Sequence, residues 1–302
     1  MASNYNNHQF KITLNDKDIS HLVTSISYED FESDKSDTLK IKLFPSIKPN
    51  LKDKIKFFID NHLMGSFYIA SIEYTYKTSY EIECASIDFT SNLRTKKNRS
   101  FDKLSYQQIL ESIAKENNLT PKIDFNRMDE IVHINQINQS DSSLLFHIAK
   151  ELNLTQSIKN DTLIFLEKNS NKKPTITMNA DDCISVKLES YSKLFYKSVE
   201  VTYQNTETNA LKTIRIGQEE PTLKRSIHSK TDDEAYKRAE GYYKSIQSDK
   251  RKGSIESIGR IIYAGTILKL GGDEEISGEY VIKKISHSID SSGWRMSVEF
   301  GG

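Results

Sequence analysis

The strongest constraint on this chain is an internal repetition near its middle. Residues Ser105–Thr120 align, 35 positions on, with Ser140–Thr155, and nine of the sixteen positions are identical. The shared positions include the run Ile-Ala-Lys-Glu and the closing Leu-Thr. Both copies carry apolar residues at helical spacing: Tyr106, Ile109, Leu110, Ile113 and Ala114 in the first, Leu145, Ile148, Ala149 and Leu152 in the second. Ser105 with Gln108 forms a capping-box pattern, and Ser140-Asp141 offers the second helix two candidate caps. Two copies are too few for a solenoid, so the repeat predicts a compact middle domain. Ile113, Ala114, Ile148 and Ala149 should be buried, and Lys115, Glu116, Lys150 and Glu151 should face solvent.

Strand patterns flank the repeat. Before it, Phe10–Leu14 alternates, as does Thr38–Phe44, where Leu39, Ile41 and Leu43 oppose Lys40 and Lys42. Ile19–Tyr28, Lys54–Asp60, Gly65–Ile72 and Tyr80–Ile87 complete a set of short strands separated by turn signals. Such a set suits a small antiparallel barrel or sandwich. Within the repeat domain, Lys122–Phe125 and Glu130–Asn135 read as strands after the first helix, and Leu154–Ile158 and Thr162–Leu166 after the second. Beyond Pro174, strands resume around one helix over 231–247, opened by the capping box Thr231–Glu234. Glycines then punctuate strand-like segments to the end, which favours a second antiparallel barrel. The expected class is therefore α+β and β-rich, with two small antiparallel β-barrel domains bracketing the repeated helix–strand unit. The expected domains are 1–93, 94–168 and 169–302.

Charge and composition narrow the function. Lys+Arg and Asp+Glu both total 42, which argues against a dedicated nucleic-acid binder but suits a surface past which nucleic acid slides. No apolar run approaches the ~20 residues of a membrane helix, and Met1–Phe10 lacks the pattern of a signal peptide. Cys84 and Cys183 are isolated thiols, as expected for a chain made in a reducing cytoplasm. Phosphate-loop, dinucleotide, nucleophile-elbow and metalloprotease motifs are all missing. His133 and His147 lack metal-ligand spacing. No catalytic residue, cofactor or metal is expected. Glu116 and Glu151, at equivalent repeat positions, are the only carboxylate pair that suggests acid–base work on a sugar. Arg94, Lys96, Lys97 and Arg99 give four basic residues in six and are the candidate contacts to a partner, a cargo or phosphate.

Three stretches, in this order, resemble the late control protein D family, the baseplate hub proteins of contractile-tailed phages, tailocins and related injection systems. The first is Ile87-Asp-Phe-Thr-Ser-Asn-Leu-Arg-Thr-Lys-Lys-Asn-Arg-Ser-Phe101, followed by Ser105, Ile109, Leu110, Ile113 and Ala114. The second is Gln136, Gln139-Ser-Asp141, Leu144, Leu145, Ile148 and Ala149. The third is Asp233-Glu-Ala235 with Ala239, then Gly253, Gly259, Ala264-Gly265, Leu270-Gly271, Gly278 to Ile282, and His287. The resemblance implies two barrels similar to one another and to a tail-tube subunit. It implies a homotrimer forming a pseudo-sixfold ring between a hexameric tail tube and a trimeric spike, with a passage for DNA or cargo. Its partners would be the tube protein, a separate spike protein and other baseplate proteins. A separate spike is expected because the chain ends at Phe300-Gly-Gly302. Such a protein would assemble in the bacterial cytoplasm and end in the virion tail baseplate or a tailocin-like particle. The other classes open to the sequence are a tail-tip peptidoglycan hydrolase and a basic-loop nucleic-acid binder.

Overall fold

The computed structural model describes residues 8–33, 35–86, 92–167, 173–190, 196–205, 209–229, 231–247 and 251–302. Residues 1–7, 87–91 of the first family motif, 168–172 at the expected boundary between the middle and last domains, and the Glu234 side chain of the capping box lie outside the described set. The first segment holds β1 (Phe10–Leu14), β2 (Lys17–Asp18), β3 (Val23–Phe31), β4 (Thr38–Leu43), β5 (Lys54–Ile59), β6 (His62–Thr75) and β7 (Ser79–Ala85). The middle holds β8 (Lys96–Ser105), α1 (Tyr106–Glu116), β9 (Thr120–Asp124), β10 (Ile131–Ser140), α2 (Asp141–Leu152), β11 (Leu154–Lys159) and β12 (Thr162–Glu167). Next come β13 (Thr175–Asn179), β14 (Ser185–Ser190), β15 (Ser198–Asn205), β16 (Ala210–Ile216), β17 (Thr222–Ser229) and α3 (Asp232–Gln247). The chain closes with β18 (Arg251–Ile258), β19 (Ile267–Gly271), β20 (Gly278–Asp290) and β21 (Gly293–Gly301).

The first and last segments share one 13-stranded sheet. Within it the same arrangement occurs twice. The first half runs β3-β4-β7-β6-β5-β1, and the second runs β14-β18-β21-β20-β19-β13. Both halves carry a bulge at one place, between Ile69 and Ser71 in β6 and between Ile282 and Lys284 in β20. They differ at the last step, where β1 joins β5 antiparallel but β13 joins β19 parallel. The alternation read in β4 is realised: Leu39, Ile41 and Leu43 enter the core, while Lys40 and Lys42 reach Glu83 and Glu81 at 2.6 and 2.7 Å.

Among the described residues, two separate closed barrels do not form. A closed barrel pairs its own outermost strands, whereas β3 uses its outer edge on β20, from Ile26 opposite Ile289 to Phe31 opposite Lys284. This seam makes the two halves one sheet. The strands β16-β15-β17 also stay out of it, forming their own sheet under α3 around Val199, Val201, Leu223 and Ala239. This small unit lies between β14 and β18, where the first half has only the short connection 32–37.

In the middle, the duplication extends beyond the helices. Residues 96–104 and 136–140, which the sequence pattern did not mark as strand, are strand because β8 and β10 supply each other's hydrogen bonds in one antiparallel ladder. That ladder has its own twofold symmetry. Ser105 opposite Ile131 is matched by Ser140 opposite Lys96, and Ser100 faces Asn135 at the centre. Left-handed residues recur at the same 35-residue offset: Lys103 with Asn138 (φ 53 and 48°), and Asn118 with Asn153 (both 54°). Ile113, Ala114, Ile148 and Ala149 are buried as the pattern requires, and the Ser105–Gln108 capping box is formed. Ser140 caps α2 through the Ser143 amide.

Candidate interaction site

From Lys96 on, the basic run divides by the alternation of β8. Arg94 and Lys96 are exposed, whereas Lys97 and Arg99 turn toward the helices. Lys97 Nζ donates to Asp141 at 2.7 Å and to Glu116 at 2.9 Å. Arg99 donates to Asp141 at 2.8 Å, to Glu116 at 2.6 and 2.7 Å and to Gln136 at 2.7 Å, with its guanidinium 4.7 Å from the Phe101 ring centre. Asp141 is completely buried in the first turn of α2, where the helix dipole favours an acid. Burial alone would raise its carboxyl, but Lys97, Gln136, Asn117 and Arg99 outweigh that and hold it below the usual range. Two of the four candidate cations thus tie the end of α1 to the start of α2.

The carboxylate pair is also engaged. Glu116 and Glu151 are both exposed, as expected, but Glu116 lies under Lys97 and Arg99, and Glu151 meets Arg238 of α3. Partial burial pushes the Glu116 carboxyl up, and its bonds to Lys97 and Arg99 bring it below the ordinary value. Such a group is a poor proton donor at neutral pH. Glu151 and Arg238 line a cleft of about 730 Å³ between the middle domain and the α3 unit. His133 bonds Asp102 at 3.0 Å and His147 bonds Gln139 at 2.9 Å. Among the described residues, no three His, Cys, Asp or Glu side chains are grouped to hold a metal, and no helix is long and apolar enough to cross a membrane.

A polar junction that sequence reasoning missed joins three segments. Asp30 and Asp37 of the first segment both face Lys159 at the end of β11. Asp30 also accepts the Ala264 amide of the last segment at 2.7 Å. Beside it, the left-handed turn residues Asn160 and Asp161 dock on the first half-sheet. The Ser66 amide donates to Asn160 at 2.8 Å, and Lys54 and the Tyr68 hydroxyl donate to Asp161 at 2.7 and 3.1 Å. Glu32 clamps Lys173 and Lys283 at 3.0 and 2.8 Å. Each contact links residues about 90 or more apart in sequence, so no local pattern announced them.

Several strand edges are open among the described residues, those of β2, β13 and the outer strands of the smaller sheets included, and two of them bear on assembly. One is β14, at one end of the large sheet. The other is the second half of β6, which pairs only with β7 beyond Ile69. Tyr74 and Tyr76 stand on and just after that edge, 48 and 72% exposed. The alternation of Ile72, Tyr74 and Tyr76 is the sequence signal for a covered strand at this edge.

The fold is shared with solved tail proteins. Superposition on solved structures places it beside a 43 kDa tail protein of prophage MuSo2 from Shewanella oneidensis (TM-score 0.77, 12% identity, 97% of this chain and 98% of that one). A tail protein from Neisseria meningitidis MC58 matches at TM-score 0.78 and 12% identity, over 98% of this chain and 96% of that one. The c3393 protein of E. coli, a type VI secretion component, matches at TM-score 0.62 and 11% identity, over 97% and 76%. No protein-family model matches the chain, and no curated protein matches it by sequence. The fold agrees with the baseplate-hub resemblance drawn from the sequence.

Proposed function

We propose that the chain is a non-enzymatic hub of a contractile tail, three copies of which form a pseudo-sixfold ring between a hexameric tube and a trimeric spike. The observation that carries this reading is the seam. Two half-sheets with the same strand order stand edge to edge in one protomer. Three such protomers would present six equivalent half-sheets, enough to match a sixfold tube while keeping a threefold face for a spike. Edge pairing around a ring also covers strand edges that would otherwise invite aggregation.

In this reading 1–93 and 169–302 supply the ring, and 94–168 braces it through Lys159, Asn160 and Asp161. Arg94 and Lys96, exposed on the middle domain, are the candidate partner contacts, while Lys97 and Arg99 serve the fold. A chain of zero formal charge suits a passage that releases DNA or other cargo. Assembly would take place in the bacterial cytoplasm, before incorporation into the tail. The test is to co-express the chain with the tube and spike proteins encoded beside it and to measure the mass of the complex. Three copies of the chain per spike trimer supports the reading. A one-to-one complex of monomers, or no complex with either partner, overturns it.

A further inference from the structure

We propose that neighbouring copies of this chain join through antiparallel pairing of β14 in one copy with the outer half of β6 in the next. The register is the one that β3 and β20 adopt inside each copy. The inference rests on the ring reading above and names the contact that would close it.

The two halves can be aligned residue by residue through their ladders, starting from the shared bulge at Ala70 and Lys283. That alignment places Ile72, Tyr74 and Tyr76 on Ile285, His287 and Ile289. Following β4 onto β18, and β3 onto β14, places Val186 on Ile26 and Leu188 on Tyr28. The approach to the edge is the same as well. The Lys52 and Gly265 amides bond the Ile69 and Ile282 carbonyls at 2.9 and 2.8 Å, and both Lys52 and Gly265 have positive φ. Beyond this point β20 receives β3, whereas β6 receives nothing among the described residues.

Burial follows that difference. His287 and Ile289, covered by the seam, are 0 and 3% exposed, and Ile26 and Tyr28 opposite them are buried. Their equivalents Tyr74 and Tyr76 are among the exposed large apolar residues, and Val186 and Leu188 are half-buried. An open edge with alternating large apolar side chains calls for a covering strand. The strand that fits is the one equivalent to β3, which only a second copy can supply.

Transferring the seam register pairs Val186 with Tyr76, Lys187 with Thr75, Leu188 with Tyr74, Glu189 with Glu73, and Ser190 with Ile72. Glu189 opposite Glu73 is the one like-charge pair, and Lys252 stands next to Glu189 on the ladder. The contact is heterologous, using different edges of the two copies, so it propagates in one direction until a ring closes.

Paired cysteines test the register in the full chain carrying Cys183→Ser. Leu188→Cys with Tyr74→Cys, and separately Lys187→Cys with Thr75→Cys, should give oxidation-dependent oligomers ending at three chains. The out-of-register combination Leu188→Cys with Ile72→Cys should give less than about one-tenth of that yield, since a disulfide tolerates little displacement. Light scattering on the same samples, alone and with the spike protein, reports assembly independently. Trimers that form without either in-register cross-link overturn this contact and leave the ring reading standing. Chains that stay monomeric under every condition overturn both.

Discussion

Lys52 and Gly265 occupy the same place in the two half-sheets, with φ of 70 and 86°, each donating its amide to the second strand after it, at Ile69 of β6 or Ile282 of β20. The position demands a left-handed residue because the chain must reverse there and still reach Ile69 or Ile282. A Cβ added at Gly265 would meet nothing nearer than Glu32 Cγ at 3.6 Å. Gly265→Ala should therefore cost only the left-handed penalty, about 1–2 kcal/mol. Gly253→Ala is expected to cost more, since its Cβ would lie 2.5 Å from the Lys187 carbonyl oxygen, which is backbone and cannot turn away. Urea denaturation of the two variants gives the order, and an equal loss would refute this account.

Asp141 is the anchor of the duplicated unit. Removing it leaves Lys97 and Arg99 without their fully buried carboxylate. Asp141→Ala should destabilise the chain by roughly 3 kcal/mol, since breaking a buried pair strands the remaining charge. The pH dependence has a definite sign. The folded carboxyl is held below its unfolded value, so its contribution is complete above the unfolded pKa and disappears as pH falls through the folded one. Denaturation midpoints of parent and variant should accordingly converge at the acid end. A variant as stable as the parent at pH 7 would remove the network from the account.

Asp161 tests the docking of the middle domain. Asn160 and Asp161 have φ of 51 and 57°, the geometry of a two-residue hairpin turn that glycine also adopts. Asp161→Gly should preserve the turn and lose only the bonds to Lys54 and Tyr68. Because that ion pair is partly exposed, the global cost should stay below about 1 kcal/mol. Local opening should nevertheless increase, read as faster amide hydrogen exchange in β11 and β12 with the large sheet unchanged. Uniform acceleration across the chain would mean that the contact is not a docking contact.

What the sequence disclosed follows from how local each feature is. The helical part of the repeat was legible because its buried face needs Ile and Ala at fixed spacing, and both copies kept them. Its strand part was not. Residues 96–104 and 131–139 share no identical position, although Lys103 and Asn138 hold the same left-handed geometry. The doubled half-sheet was expected only through the family resemblance, since its strands require apolar alternation and little else. Ile69 with Ile282, and Glu83 with Glu299, are identities too sparse to reveal it. Lys97 and Arg99 read as a surface run because their partners, Glu116 and Asp141, come from helices 17 and 42 residues further on.

The junction and the seam carry opposed pH responses. Burial, then the neighbouring Asp30, push the Asp37 carboxyl up to about 7, since two acids share one Lys159. The unfolded value is near 4. Between those values the folded state binds the extra proton, so this group makes stability fall as pH rises from about 4 to 7. His287 acts the other way. Stacked on Tyr28 across the seam and fully buried, its imidazole is pushed down to about 4 by burial, against an unfolded value near 6.5. There the unfolded state binds the extra proton, so stability falls as pH drops from 6.5 toward 4. Asp37→Asn keeps an acceptor for the Phe31 amide and removes the first response. Its advantage over the parent should grow steadily between pH 4.5 and 7.5, by at least 1 kcal/mol in order of magnitude. His287→Asn keeps an acceptor for the Trp294 indole and should lose less stability than the parent between pH 6.5 and 4.5. Denaturation midpoints across that range decide both, and a variant that tracks the parent at every pH removes its group from the account.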